Sequence, residues 1–414
     1  MEHYDVIVLG GGPAGMMAAG TAGKRGRRVL LIEKNRILGK KLNITGGGRC
    51  NVTNAEEDTR ALLAHYGDAE QFLYSPFSQF SVKDTFAFFE AAGLPLVVEA
   101  GKRAFPNTQS ASDVTRVMKT YASQTGVTLR TGTRALGFIV KNGKVTGVRT
   151  NNGDFTADAI VLASGGLSHQ ETGATGEGIA WVKELGHKVH NPNPDIVPLT
   201  SEDRWIHMLS GTTASFVKIT FSDMANSKAS RFSRTGKILF THFGLSGPLI
   251  LNSTSKVKKL LKGGHARAFI DLFPDTELNT VRNRVLGVFE LNKNKSLKNI
   301  MQDIAPHGMG PAVLALLPQG IGETKVHSVS KEHRTKLADI MKAMPLTVTG
   351  TMGYDWAIVS DGGVDLAEID MKTMRSKLHK NLYIVGDALH VTRPSGGYSL
   401  QLCWTTGFVA GKNA

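Results

Sequence analysis

Tyr4-Asp-Val-Ile-Val-Leu-Gly-Gly-Gly-Pro-Ala-Gly15, continued by Met16 to Gly26 and Arg28-Val-Leu-Leu-Ile-Glu33, is the stretch that decides the fold. Apolar residues from Tyr4 to Leu9 spell a short strand and the glycines a turn. Met16 to Gly26 spells a helix, and Arg28 to Ile32 a second strand that closes at Glu33. Two parallel strands joined by a helix need about 30 residues, which is the length available. Gly10-x-Gly12-x-x-Gly15 follows the strand and opens the helix, and an acid stands about 20 residues further on. The first glycine makes the turn, the second lets backbone N–H groups approach a pyrophosphate, and the third lets helix pack on strand. The helix N-terminus carries the partial positive charge that phosphates seek. Glu33 is placed to accept hydrogen bonds from an adenosine ribose, which favours an unphosphorylated one. Pro13, Ala14 and Lys34 complete this cradle, so the chain opens as an α/β dinucleotide-binding fold.

Outward from this unit, Gly39 to Asn54 (GKKLNITGGGRCNVTN) reads as a polar, glycine-rich loop. Helical spacing predicts a helix over Phe77–Ala92 and another over Ser112–Thr125, capped by Ser112 or Asp113. Strands are expected at Val127–Leu129, Ala135–Lys141, Lys144–Thr150 and Thr156–Leu162. Asn142-Gly143 forms the hairpin turn, and Ala163-Ser-Gly-Gly166 follows the last strand. At Asn191 the run NPNPDIVPL, with three prolines, marks a domain crossing. The pattern is then strand-rich to about Leu272 and helical from Thr276 to Gly320. Thr347–Ile358 and the strand Leu382–Val385 return to the first domain, and a small-residue helix closes it over Gln401–Lys412. The expected domains are 1–191 with 346–414, then 192–275 with 321–345, then a helical piece over 276–320.

A chain of 414 residues exceeds one ordinary core. No basic leader with an apolar stretch precedes the first strand, no run of about 18 apolar residues occurs, and the only cysteines are Cys50 and Cys403. A reducing cytoplasm is the expectation. Thirteen histidines and two cysteines show no metal-ligand spacing. The formal charge is +14, and its distribution is uneven: between Lys218 and Lys342 twenty Lys/Arg face nine Asp/Glu. Within Lys218–Arg267 Asp223 is the sole acid, against ten basic residues. A polyanionic partner, nucleic acid or an acidic membrane surface, accounts for this excess; so does a merely basic, solvated surface.

Leu382-Tyr-Ile-Val-Gly-Asp-Ala388 separates FAD from NAD. FAD domains of the glutathione-reductase kind end such a strand in Gly-Asp, set the Asp on the ribityl chain and aim the next helix at the isoalloxazine. These motifs, with KRAFPNTQSASDV (Lys102–Val114), ASGGLSHQETGATGEG (Ala163–Gly178), ILFTHFGLSGPLIL (Ile238–Leu251), GGVDLAEIDMKTMRSK (Gly362–Lys377) and the loop GGGRCNVTN, carry a resemblance over essentially the whole chain. The chain resembles the BaiN/RdsA-like flavoprotein family, which includes aminoacetone oxidase and a dihydrouridine synthase of large-subunit ribosomal RNA. The resemblance implies a two-dinucleotide-binding-domain flavoprotein: a Rossmann-like FAD-binding domain interrupted by a β-rich barrel-like domain and a small helical domain.

By the same resemblance, FAD is held non-covalently by Gly10, Gly12, Pro13, Ala14, Gly15, Glu33, Lys34, Lys41, Gly46, Gly47, Gly48, Arg49, Cys50 and Asn51. Ala135, Ala163, Ser164, Gly165, Gly386, Asp387, Gly396, Gly397, Tyr398 and Ser399 complete the set. NAD(P)H is the expected transient reductant, since no second fingerprint is evident. Candidate catalytic groups are Cys50 as a thiol acid, His242 in the inserted region, and His390 and Arg393, where the chain departs from the family's usual C-terminal loop. Each has a structural alternative: a small loop residue, a turn histidine, a loop salt bridge. Three functions are open: reduction of a uridine in ribosomal RNA, oxidation of a small amine or aminoketone by O2, or non-catalytic RNA binding.

Overall fold

The computed structural model describes residues 1–123, 126–225 and 230–414. The chain divides into two compact units, Met1–Pro194 with Ala357–Ala414, and Asp195–Trp356.

The first unit is built on a seven-stranded sheet. Strand β1 (Glu2–Leu9) lies parallel to β2 (Val29–Glu33) on one side and to Phe155–Leu162 on the other. Val127–Thr131 extends the sheet beyond β2, and Leu382–Ile384 joins Phe155–Leu162, both in parallel. The hairpin Ala135–Lys141/Lys144–Thr150 adds antiparallel strands, and Asn142 and Gly143 both take the positive φ (50° and 72°) that its tight turn demands. Strands paired in parallel near the middle of a sheet are covered on both faces, so Val6, Ile7 and Val8 are fully buried without alternation.

Helix α1 (Pro13–Lys24) starts earlier than its apolar pattern suggests, because Pro13 supplies a ready-made first helical φ. It packs against the C-terminal helix Tyr398–Asn413 with unusual intimacy. A Cβ at Gly407 would lie 2.4 Å from the Ala14 carbonyl oxygen, and one at Gly411 2.4 Å from that of Ala18. The small residues of both helices thus let two backbones touch.

Two expected helices differ in detail. Phe77–Ala92 is broken into Glu70–Gln79 and Val82–Ala91, because Ser81 and Asp84 form a reciprocal capping box that starts a new helix. The other runs Ala111–Ala122 with Ser110 at its N-cap; positions 124 and 125 of the expected span lie outside the described residues.

The second unit carries a seven-stranded antiparallel sheet. Its order is Met344–Val348, Ala266–Asp271, Thr213–Asp223, Phe232–Thr241, Gly244–Ser246, Leu199–Thr200 and Gly350–Thr351. Met344–Val348 pairs with Ala266–Asp271, so the chain rejoins the first unit at Ala357 and not at 346. The helices Leu278–Leu291, Leu297–Ile304 and Gly310–Ala315 share one apolar core with this sheet: Val285, Ile300 and Val313 cluster with Phe221, Phe240 and Ile270. Among the described residues no helix is long and apolar enough to cross a membrane.

Candidate functional site

The glycine turn separates two kinds of glycine. At Gly10 a Cβ would sit 2.4 Å from the Ala163 oxygen, and at Gly15 1.8 Å from the Gly10 oxygen, so the fold itself requires both. Gly12 has an ordinary φ of −82° and nothing within 4 Å of a Cβ. Neither strain nor packing calls for glycine there; the open space beside the N-terminus of α1, which no side chain caps, does. That opening is a fit for a pyrophosphate. Glu33 Oε2 accepts from the Gly11 amide (2.8 Å), and Oε1 from the Asn35 amide (2.7 Å), so the acid also fixes the turn. Lys34 reaches Thr175 (2.7 Å) and Glu177 (2.9 Å). Burial pushes the Glu177 carboxyl up, but Lys34, Arg134 and Thr175 outweigh it and bring it down to about 2.

At the end of Phe155–Leu162, the Ala163 amide donates to the Leu9 oxygen (2.9 Å), Gly165 takes φ +74°, and Ser164 Oγ is buried with no hydrogen-bond partner among the described residues. An orphaned buried hydroxyl beside the glycine turn is a second fit for a polar ligand. Ala135 stands opposite Thr150 at the start of the hairpin.

The loop expected over Gly39–Asn54 winds through short 3-10 turns, with Gly46, Gly47 and Gly48 at φ 58°, 67° and 84°. Asn51, its amide turned to satisfy its neighbours, donates to the Ala104 and Thr53 oxygens and accepts from Gly397 N (3.0 Å). It thereby ties this loop to the C-terminal glycine pair. Arg49 lies over the Phe105 ring (4.1 Å) and bonds Glu99 and Gln109. Cys50 is fully buried at φ +59°, and burial pushes its thiol up to about 12. A sealed thiol of that basicity is a poor proton donor. Cys50→Ala is expected to keep FAD content and turnover, and native protein to leave Cys50 unlabelled by a thiol reagent; rapid labelling would contradict this.

Asp387 lies in the short turn Gly386–Ala388. It accepts from Arg393 and Ser399 (3.4 Å for the latter), and Lys41 Nζ stands 3.8 Å away. Arg393 is 3% exposed and also donates to Ser399 Oγ and the Val391 oxygen. Burial pushes the Asp387 carboxyl up, yet Arg393 and Lys41 outweigh it and leave it below its ordinary value. Lys41, bonded to Ser168, is held below the usual ammonium range by its own burial. Arg393 and Lys41 thus bring two cationic groups to the Asp387 carboxylate, a donor set suited to an anionic or hydroxylated ligand group. Gly396 and Gly397 (φ 120° and 101°) lead into the C-terminal helix; a Cβ at Gly397 would strike the Thr53 backbone at 2.2 Å. Tyr398 and Ser399 are that helix's first residues.

His390 stacks on His190, a residue that sequence reasoning passed over just before the proline-rich crossing. Nothing in local spacing announces a partner 200 positions away. His242 belongs to the second unit. Thr241 Oγ1 bonds the Gly244 oxygen (3.0 Å) across a tight turn, and the exposed His242 ring lies 5.0 Å from Phe243, itself 5.0 Å from Trp356. Among the described residues no group of three or more His, Cys, Asp or Glu is placed to hold a metal ion.

A Rossmann-type unit with this glycine turn, an acid closing its second strand and a C-terminal Gly-Asp turn defines an FAD-dependent oxidoreductase. Residues 4–413 match the HI0933-like protein Rossmann domain, and the chain belongs to that family. It is 28% identical over 414 residues to the ribosomal RNA dihydrouridine synthase of Escherichia coli, covering 100% of this chain and 98% of that protein. It is 27% identical over 421 residues to the 3-dehydro-bile acid delta(4,6)-reductase of Clostridium scindens, covering 98% of both. Its fold matches the crystal structure of a 3-ketosteroid-delta4-(5alpha)-dehydrogenase from Rhodococcus jostii, with TM-score 0.56, 14% identity, and coverage of 100% and 96%.

Proposed function

We propose that this protein reduces a uridine of ribosomal RNA to dihydrouridine in the cytoplasm, with NAD(P)H as the reductant. Bound FAD supplies the hydride. Gly12 with the N-terminus of α1 holds the pyrophosphate, and the Asp387–Arg393–Lys41 cluster holds the ribityl chain and the anionic edge of the ring system. The relatives named as dihydrouridine synthases support the reading.

The observation that carries it is the surface of the second unit. Arg231, Arg234, Lys237, Lys256, Lys259, Lys262 and Arg267 are exposed and in no ion pair among the described residues. Trp356 is 48% exposed in the same unit, beside Phe243. Free cations with an exposed aromatic suit a phosphate backbone and unstacked bases. Each cation that neutralises a phosphate of single-stranded RNA contributes about 0.7 to the salt slope. Replacing Lys256, Lys259 and Lys262 together by alanine is therefore expected to lower the slope of log Kd against log salt by about 2. An unchanged slope would place the RNA elsewhere.

A small-molecule enone is the second reading, favoured by the bile-acid reductase relative. Mass spectrometry of ribosomal RNA nucleosides from cells lacking the gene separates the two. Loss of one dihydrouridine, restored by the intact gene and not by Gly12→Asp, supports RNA reduction; unchanged dihydrouridine removes it.

A further inference from the structure

Residues far apart in sequence build a compact proton-handling cluster in the first unit. The rings of His190 and His390 stack with centroids 4.0 Å apart and planes 16° from parallel. His190 Nε2 is 3.1 Å from Asp365 Oδ2, which Lys188 Nζ also approaches at 2.6 Å, while Asp365 Oδ1 accepts from the Ala367 amide. On the other side, His390 Nδ1 faces Asp361 Oδ1 at 3.6 Å, too long for a hydrogen bond, and Asp361 is held by the Thr392 hydroxyl at 3.1 Å. His390 Nδ1 is sealed from solvent without a hydrogen bond among the described residues, although 32% of the side chain stays accessible, which leaves Nε2 as the ring nitrogen not sealed in this way.

His390 is carried by the backbone that joins the two turns read as the cofactor cradle. His390 lies between the Gly386–Asp387 turn and the Gly396–Gly397 pair. Its amide donates to the Val364 oxygen (2.9 Å), and Gly363 packs so tightly that a Cβ there would sit 2.5 Å from the Ala388 oxygen. The backbone on both sides is fixed, so the ring is presented from a rigid mount.

We propose that His390 is the proton donor of the reduction, with His190 as the residue that positions it. The inference rests on the reductive reading of the site and holds for a pyrimidine or an enone alike. Saturating a carbon–carbon double bond places a hydride on one carbon and a proton on its neighbour. The π bond is lost, and the imidazolium returns as neutral imidazole. Chemistry of this kind needs an acid at the site, and the buried Cys50 thiol and the ion-paired Arg393 do not serve.

The groups facing His390 are His190, Asp361, Asp365 and Asp68. Burial, then the neighbouring His190, hold the His390 imidazolium below the ordinary histidine range, and the carboxylates only partly offset this. His190, stacked at 4.0 Å, repels a charge on the His390 ring and so disfavours the His390 imidazolium. The sign follows: reduction by the protonated form slows as pH rises through a value below about 6.5.

The test uses FAD-loaded full-length protein and measures the midpoint potential of the flavin between about pH 5 and pH 8 by spectroelectrochemistry. Besides the change of slope that ionisation of the reduced flavin itself produces, a proton held at His390 gives the wild type one below about pH 6.5. His390→Gln is expected to abolish that break, and His190→Gln to move it to higher pH by removing the repulsion. Turnover of an in vitro transcript of large-subunit ribosomal RNA with NADPH is expected to fall about 10²–10⁴-fold in His390→Gln, with FAD content intact. The same break persisting unmoved in His390→Gln overturns the assignment. Failure of the wild type to reduce the transcript removes the RNA reading alone, because the potential still decides the histidine.

Discussion

Gly12→Asp is expected to yield a well-folded protein with essentially no FAD. At this position the backbone has an ordinary φ and a side chain would enter open space, so nothing in the polypeptide resists the change. Aspartate is a favoured N-cap residue, better than glycine by a few tenths of a kcal/mol, and its charge complements the helix dipole. The apo form of the variant should thus melt no lower than wild-type apoprotein. The same carboxylate stands where the pyrophosphate must lie. Two like charges about 4 Å apart repel by about 4 kcal/mol at an effective dielectric near 20, which lowers FAD affinity about 10³-fold. Absorbance of the purified protein and a thermal melt read both outcomes. Gly15→Ala provides the contrast: its Cβ would fall 1.8 Å from the Gly10 oxygen, so it loses the fold along with the flavin. Equal destabilisation by both variants would show that the space beside Gly12 is not a ligand site.

The second large effect is expected at Arg393. Its guanidinium is almost wholly buried and pairs with Asp387. Arg393→Met leaves that carboxylate with Lys41 at 3.8 Å as its remaining cation. Breaking a buried pair from one side costs about 3–5 kcal/mol. Removing both partners, as in Arg393→Met with Asp387→Leu, is expected to recover most of the stability, since an apolar pair of similar volume is often neutral or better. FAD binding should fail in both. The folded Asp387 carboxyl lies below its ordinary value, so its contribution is present above the unfolded value of about 3.9. It is lost as pH falls through the lower, folded value. Wild type should therefore resist acid further down the pH scale than Arg393→Met. Urea titrations at neutral and acid pH check the pair; a double variant as weak as the single one would refute the accounting.

What was legible in the sequence was local. The strand–turn–helix–strand run to Glu33 depends on residues adjacent along the chain, and so does the Asn142-Gly143 hairpin. The break within Phe77–Ala92 was also written locally, as Ser81-x-x-Asp84, but helical apolar spacing on both sides masked it. The expected boundary at 345/346 cut through Met344–Val348 because its alternation suits any sheet, and only its partner Ala266–Asp271 says which. Within the site, the glycines and Asp387 could be named from motifs. Each glycine's role could be read as well, but that Gly12 faces open space, and that Arg393 spends its charge on Asp387 in preference to a ligand, depends on burial. The His190–His390 stack was invisible, since two strands some 170 residues apart must pair before the rings meet.

The contact of α1 with the helix Tyr398–Asn413 sets the order of events on the ribosome. The glycine turn emerges early, but the backbone that Ala14 and Ala18 press against belongs to Gly407 and Gly411. At about 5–20 residues per second, roughly 20–80 s of translation separate the two. In that interval residues 195–356 emerge whole and have a core of their own. By then β1, β2, Val127–Thr131 and Phe155–Leu162 have emerged and can pair, but α1 still lacks the helix that packs on it. Flavin capture is thereby deferred to the last moments of synthesis, and a stalled chain that lacks these helical glycines would be left colourless.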